Sequence, residues 1–147
     1  MKASTWMAVS LISLLAGCRE APHAMEPLVL PPTAQVAEVS VTRWKPNGDS
    51  DGSFKIFDRK KVEEILTQLR ANNTGYSSAM KGLPPQEYSI AVDTEDVMAA
   101  MVWVGPGWLG GVDDHHKDEK GRLLSHYRKL DPEQHSKLLS LLKPETE

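Results

Sequence analysis

One cysteine in 147 residues is the first thing this chain has little of. A single thiol excludes a disulfide within one chain, and with it a disulfide-stapled miniprotein. A basic excess is also missing. The 17 Lys plus Arg face 20 Asp plus Glu, a formal net charge of −3, so no surplus of cations exists to neutralise nucleic-acid phosphates. No apolar run reaches the ~20 residues that a membrane-spanning helix needs. Internal repeats and low-complexity blocks are absent. So are the catalytic signatures G-x-S-x-G and H-E-x-x-H. Glu63 and Glu64 stand side by side in a helical pattern and read as surface charge. What is present is ordinary for a folded chain: 40% hydrophobic and 25% charged residues. The length suits one domain, since domains run to ~100–200 residues.

The first 17 residues stand apart from the fold. Met1-Lys2 is a short basic start, and the stretch from Trp6 to Ala16 carries no charge. That is the anatomy of a signal-peptide core. It ends in Leu15-Ala16-Gly17-Cys18. This tetrapeptide resembles the lipobox of bacterial lipoprotein precursors at all four positions. The resemblance implies cleavage before Cys18 and its lipidation with palmitate-type chains, which leaves no thiol for catalysis. Several acyl chains, each buried CH₂ contributing about 0.8 kcal/mol, make such an anchor effectively permanent. The resemblance also implies an address in the cell envelope. Residue 19 is Arg where Asp would favour inner-membrane retention, so the periplasmic face of an outer membrane is expected where the organism has one. Without Lys2 the mature chain has 16 basic against 20 acidic side chains. Its body is then repelled by anionic headgroups, and the lipid does the anchoring.

Residues 18–35 read as the lipidated Cys and a tether. Four of the ten prolines fall here, at 22, 27, 31 and 32, and proline favours extended chain over helix. At ~3.1 Å per residue such a tether reaches up to roughly 50 Å. The run Leu28-Val29-Leu30 is the part of it able to pack on the domain. Residues 36–147 then form a single domain, long enough to bury a core without metal or disulfide.

Within that domain, Val36 to Trp44 nearly alternates and predicts a strand. Lys45 to Ser53 is a turn cluster, and Phe54 to Phe57 a short second strand. Asp58 caps a helix over Arg59 to Ala71, with Val62, Ile65, Leu66 and Leu69 on one face. Asn72-Asn73, helped by Gly75, is expected to end it in the left-handed conformation. Residues 74–86 read as loop, and Tyr88 to Val92 as a strand. Val97 to Val104 is apolar throughout and, between turn signals, predicts a strand covered on both faces, with a buried helix as the alternative that periodicity leaves open. Trp108 to Val112 reads as its continuation past a Gly105-Pro106-Gly107 break. A charged loop over Asp113 to Gly121 and a last strand over Arg122 to Leu130 follow. Asp131-Pro132-Glu133-Gln134 opens a terminal helix that Pro144 stops. The order β-β-α-β-β-β-α predicts an α+β fold: a small antiparallel sheet of about five strands with two helices on one face.

Three stretches carry candidate chemistry. Residues 47–58 resemble the EF-hand calcium loop, with Asn47, Asp49, Asp51 and Asp58 as candidate ligands and Gly52 at its turn. Position one is Asn, position twelve is the short Asp, and a strand precedes the loop where an EF-hand has a helix. Asp58 as a helix cap is the competing reading. The second stretch is Asp113 to Glu119, where His115 and His116 stand among carboxylates of a type that binds zinc or copper. Neighbouring residues on extended chain point apart, and spacing alone does not bring His126 or His135 to them. The third is Gly105 to Gly111. It lacks the phosphate-loop ending, so Trp108 is its candidate, either as an exposed binding anchor or as core.

The expectation from these features is a lipid-anchored envelope protein with a non-enzymatic binding or inhibitor-type domain for another envelope macromolecule. Inhibitor and immunity-type lipoproteins are similar in plan. The alternative is a divalent-metal-binding envelope lipoprotein using the 47–58 or the 113–119 loop. The only cofactor foreseen is Ca²⁺ at residues 47–58. The partners foreseen are the membrane, through the N-terminal lipid, and an envelope protein or the cell wall, with no nucleic acid.

Overall fold

A computed structural model describes residues 23–78 and 84–144. The signal segment, Cys18 and the first part of the tether lie outside the described residues. The elements are β1 (Val36–Trp44), β2 (Ser50–Ile56), α1 (Arg59–Ala71), β3 (Ser77–Ser78), β4 (Tyr88–Thr94), β5 (Met98–Gly105), β6 (Trp108–Asp113), β7 (His126–Lys129) and α2 (Pro132–Leu141). All seven strands join one antiparallel sheet in the order β2-β1-β4-β5-β6-β7-β3. The class is α+β, as the residue pattern predicts, with more strands than expected.

Side chains alternate across a strand, so the register sorts the sheet into two faces. Val41 stands opposite Ile90, Ile90 opposite Val102, and Val102 opposite Gly111. This face buries Val39, Val41, Ile90, Val92, Ala100, Val102, Val104 and Leu109 in one core with Val62, Ile65, Leu66 and Leu69 of α1 and Leu138 of α2. Both helices therefore cover one face. The other face carries Ala91, Met101, Trp103 and Tyr127, which stay half exposed.

Local signals explain the helix ends. The Asp58 side chain accepts from the Lys61 backbone N–H at 2.8 Å, satisfying one of the free donors of the first turn of α1. At the other end Asn72 keeps a negative φ of −103° and donates its amide to the Gln68 carbonyl at 2.8 Å. The left-handed residue is Gly75, φ +71°, so the turn falls three residues later than expected. Arg128 donates to the Asn72 carbonyl and, at 2.9 Å, to that of Thr74, covering acceptors that the helix leaves behind. Asp131 and Gln134 form the expected capping box at α2, with Pro132 in the first turn.

Three further features depart from expectation. Residues 50–53 are strand, not turn: the β1–β2 turn closes by Asp49, with Lys45 N–H donating to the Asp49 carbonyl at 2.8 Å. Trp108 to Asp113 is a separate strand folded back on β5, because Pro106-Gly107 makes a two-residue turn with Gly107 at φ +73°. The tether also ends earlier than residue 35. From His23 onward it lies on the domain as a strap. Ala24 bridges Ser77, and Met25 N–H donates to the Tyr76 carbonyl at 2.9 Å. Leu28 is buried in the core cluster.

Candidate metal centre

The site begins with a register. Gly111 of β6 stands opposite His126 of β7. Asp113 lies two residues beyond Gly111, so its side chain shares the helix-covered face with that of His126. The chain then turns back on itself. One carboxylate oxygen of Asp113 accepts the backbone N–H groups of His115 at 2.9 Å and His116 at 2.7 Å. This short-range bonding, typical of Asp ahead of a turn, swings the His116 ring over the carboxylate. His116 Nδ1 lies 2.7 Å from Asp113 Oδ2, and its Nε2 lies 3.3 Å from Glu26 Oε2 on the strap.

His126 is wholly buried, at 0% exposure. Its Nδ1 lies 3.0 Å from the Leu124 carbonyl. A carbonyl only accepts, so Nδ1 carries the proton and Nε2 keeps its lone pair. That Nε2 is buried and has no hydrogen-bond partner among the described residues. Leaving such an acceptor unpaired costs about 1–3 kcal/mol. Between ring centres, His126 lies 4.9 Å from His116 and 5.5 Å from the edge-on ring of Tyr76. One donor atom from each of Asp113, His116 and His126 lies within 4.8 Å of the other two. Donors about 2.1 Å from a tetrahedral zinc sit roughly 3.4 Å apart, so side-chain shifts of about an ångström would close this group around one ion.

The electrostatics suit a cation. Burial pushes the Asp113 carboxyl up, but the N–H groups of Val29, His115 and His116 outweigh it and hold it below the usual carboxylate range. The hydrogen bond to Asp113 raises His116 above the ordinary imidazole value, with Glu26 adding to it. Burial lowers His126, which therefore stays neutral and available as a ligand. Burial likewise pushes the Tyr76 phenol up to about 12. A divalent ion taking the place of the His116 Nδ1 proton would meet the Asp113 carboxylate and two neutral imidazoles, with the Glu26 carboxylate beyond the His116 ring as a further negative charge. Two imidazoles and a carboxylate favour zinc and its neighbours over calcium or magnesium.

The other sequence candidates fall elsewhere. Asp51 pairs with Arg43 at 2.8 Å. Asn47 bonds Asp49 within the turn at 2.9 Å. Asp58 sits beyond the far end of β2 as the α1 cap. The six steps along the seven residues of β2, at ~3.3 Å each, put about 20 Å between its two ends, so Asn47, Asp49, Asp51 and Asp58 do not surround one ion. Trp108 is 2% exposed, donates its indole N–H to the Pro85 carbonyl at 3.3 Å and stacks on Tyr127 at 5.9 Å. The exposed-anchor expectation therefore gives way to the core one. His115 is exposed, and only its backbone joins the Asp113 turn. His135 pairs with Glu87 at 2.8 Å, away from this group. Glu26, assigned to the tether, is the member that sequence reasoning did not name. Comparison with known proteins finds no family model, no curated protein and no solved structure that matches the chain.

Proposed function

We propose that this chain is a lipid-anchored cell-envelope protein whose folded domain holds a divalent transition metal, zinc being the best fit, in a non-enzymatic role. Asp113, His116 and His126 would be the ligands. The observation that carries the reading is the His126 Nε2 lone pair, buried, unpartnered among the described residues and grouped with two further donors. Supporting it is the arrangement around each imidazole. Leu124 fixes the tautomer of His126 and Glu26 faces the outer nitrogen of His116; metal-bound histidines commonly give their second nitrogen to such a carbonyl or carboxylate. The lipobox Leu15-Ala16-Gly17-Cys18 supports the anchor and the envelope address.

Zinc titration into the purified chain tests it. Zinc at a hundred times its dissociation constant should stabilise the fold by about 2.7 kcal/mol, read as a rise in melting temperature. His126→Gln should abolish that rise. A flat zinc titration of the wild type contradicts the reading.

A second reading, binding of another envelope macromolecule, draws on a groove of about 370 Å³ lined by Trp44, Pro46, Pro84, Pro85 and Trp103. Indole and proline surfaces of this kind serve as interaction anchors. Capture of a partner from envelope extract, lost with Trp103→Ala, would favour it. Capture that Trp103→Ala leaves intact would remove the groove from that role.

A further inference from the structure

The N-terminal strap lies over the candidate ligands, and each contact is specific. Glu26 faces His116 Nε2 at 3.3 Å. Val29 N–H donates to Asp113 Oδ2 at 2.7 Å. Leu28 packs onto Gly111, where an added Cβ would lie 2.8 Å from Leu28 Cδ1; Gly111 is the residue opposite His126. Asp113 and His126 are fully covered, whereas His116 and Glu26 retain exposed surface. The exposed edge of the group is therefore its strap side.

From this we infer that the strap, residues 24–30, is the lid of the metal centre, with Glu26 as its latch through His116. The inference rests on the metal-binding reading above. An ion enters and leaves when the strap lifts, and an occupied centre holds the strap down. The chemistry supports that coupling. When His116 binds an ion through Nδ1, its Nε2–H still points at Glu26, and the ion draws electron density from the ring and strengthens that donor. Linkage then makes the effect reciprocal: what closes the strap tightens binding, and binding closes the strap. The strap suits opening. Its hold is a handful of hydrogen bonds, from Met25 to Tyr76, between Leu28 and Asn73 and from Val29 to Asp113, together with Leu28 in the core and Met25 and Leu30 partly buried against it. With one fully buried side chain, the strap has less to lose on local opening than the strands and helices it lies on. Glu26 acts here as a positioning residue, not a ligand.

The test uses the full chain in detergent, loaded with Zn²⁺, with Glu26→Gln and Leu28→Ala beside the wild type. Neither variant removes a proposed ligand. Zinc release to excess chelator is followed by stopped flow, and amide hydrogen exchange at Leu28 and Val29 is measured with and without zinc. The expected result is release at least tenfold faster in both variants. In the wild type zinc should slow strap exchange at least tenfold, and Glu26→Gln should lose most of that slowing. Should Leu28→Ala fold poorly, Glu26→Gln carries the test, because the Glu26 carboxylate is largely exposed. Zinc binding with release rates within twofold of wild type and unaltered strap exchange would overturn the lid and leave the metal-binding reading standing. Absence of zinc binding to the wild type would overturn both.

Discussion

Asp113 shows how one residue can hold three pieces of a fold together. Its carboxylate takes hydrogen bonds from the strap, from its own turn and from the His116 ring. Those bonds hold its ionisation below the usual range despite burial. A carboxyl with a lowered folded value stabilises the fold above its unfolded value of about 3.9, and that contribution is lost as pH falls through the folded value. Asp113→Asn removes this titration. Chemical denaturation of the metal-free chain should therefore show a smaller loss of stability between pH 5 and pH 2.5 in Asp113→Asn than in the wild type. An equal loss in the two would mean that the carboxylate is not held as described. At this scale the sequence was only partly readable. Asp113 and His116 stand out as neighbours in a charged stretch, but nothing in the spacing places His126 or Glu26 beside them. Their meeting depends on the β6–β7 register and on the strap, both of which link residues far apart in the chain.

Among the elements, those with a repeating pattern were legible. The 3.6-residue period of Val62, Ile65, Leu66 and Leu69, with Asp58 ahead of it, fixes α1. Alternation fixes β1 and β4, and the capping box fixes the start of α2. Elements without a period were not legible. β3 has two residues, too few for any alternation. The full burial of β6 hides its faces, and Gly110 and Gly111 within it offer no side chain to alternate, so it reads as a continuation of β5. The strap belongs to a proline-rich tether yet docks, because Gly111 leaves a space that Leu28 fills. Gly111→Ala should disturb that docking. The new Cβ would lie 2.8 Å from Leu28 Cδ1 and 2.6 Å from the Met101 carbonyl. A cost of about 1–3 kcal/mol is expected from such overpacking, read by denaturant unfolding. A cost near zero would show that the strap does not press on β6. The acidic turn at 47–51 has no such consequence. Millimolar Ca²⁺ should leave the melting temperature unchanged, since its carboxylates are engaged in the turn, with Arg43 or at the α1 cap.

For the whole molecule, the sheet is closed on one face by α1 and α2 and half open on the other, and the strap joins the domain at the exposed edge of the metal group. Cys18 lies five residues before His23, where the described strap begins. Under the lipoprotein reading, a lifted strap would lengthen the tether by roughly 20 Å, at ~3.1 Å for each of its residues. Metal state and distance from the membrane would then change together. The anchor has its own check: Cys18→Ser should move the protein from the membrane fraction to the soluble one, and unchanged sedimentation with membranes would contradict lipidation. The proposed role depends above all on the metal centre. X-ray absorption at the zinc edge of the stoichiometrically loaded chain measures it directly. The expected spectrum is a nitrogen and oxygen shell at about 2.0–2.1 Å with two imidazoles, and His126→Gln should no longer retain one zinc per chain. A shell without imidazole, or full retention of zinc by His126→Gln, would contradict the assignment of Asp113, His116 and His126.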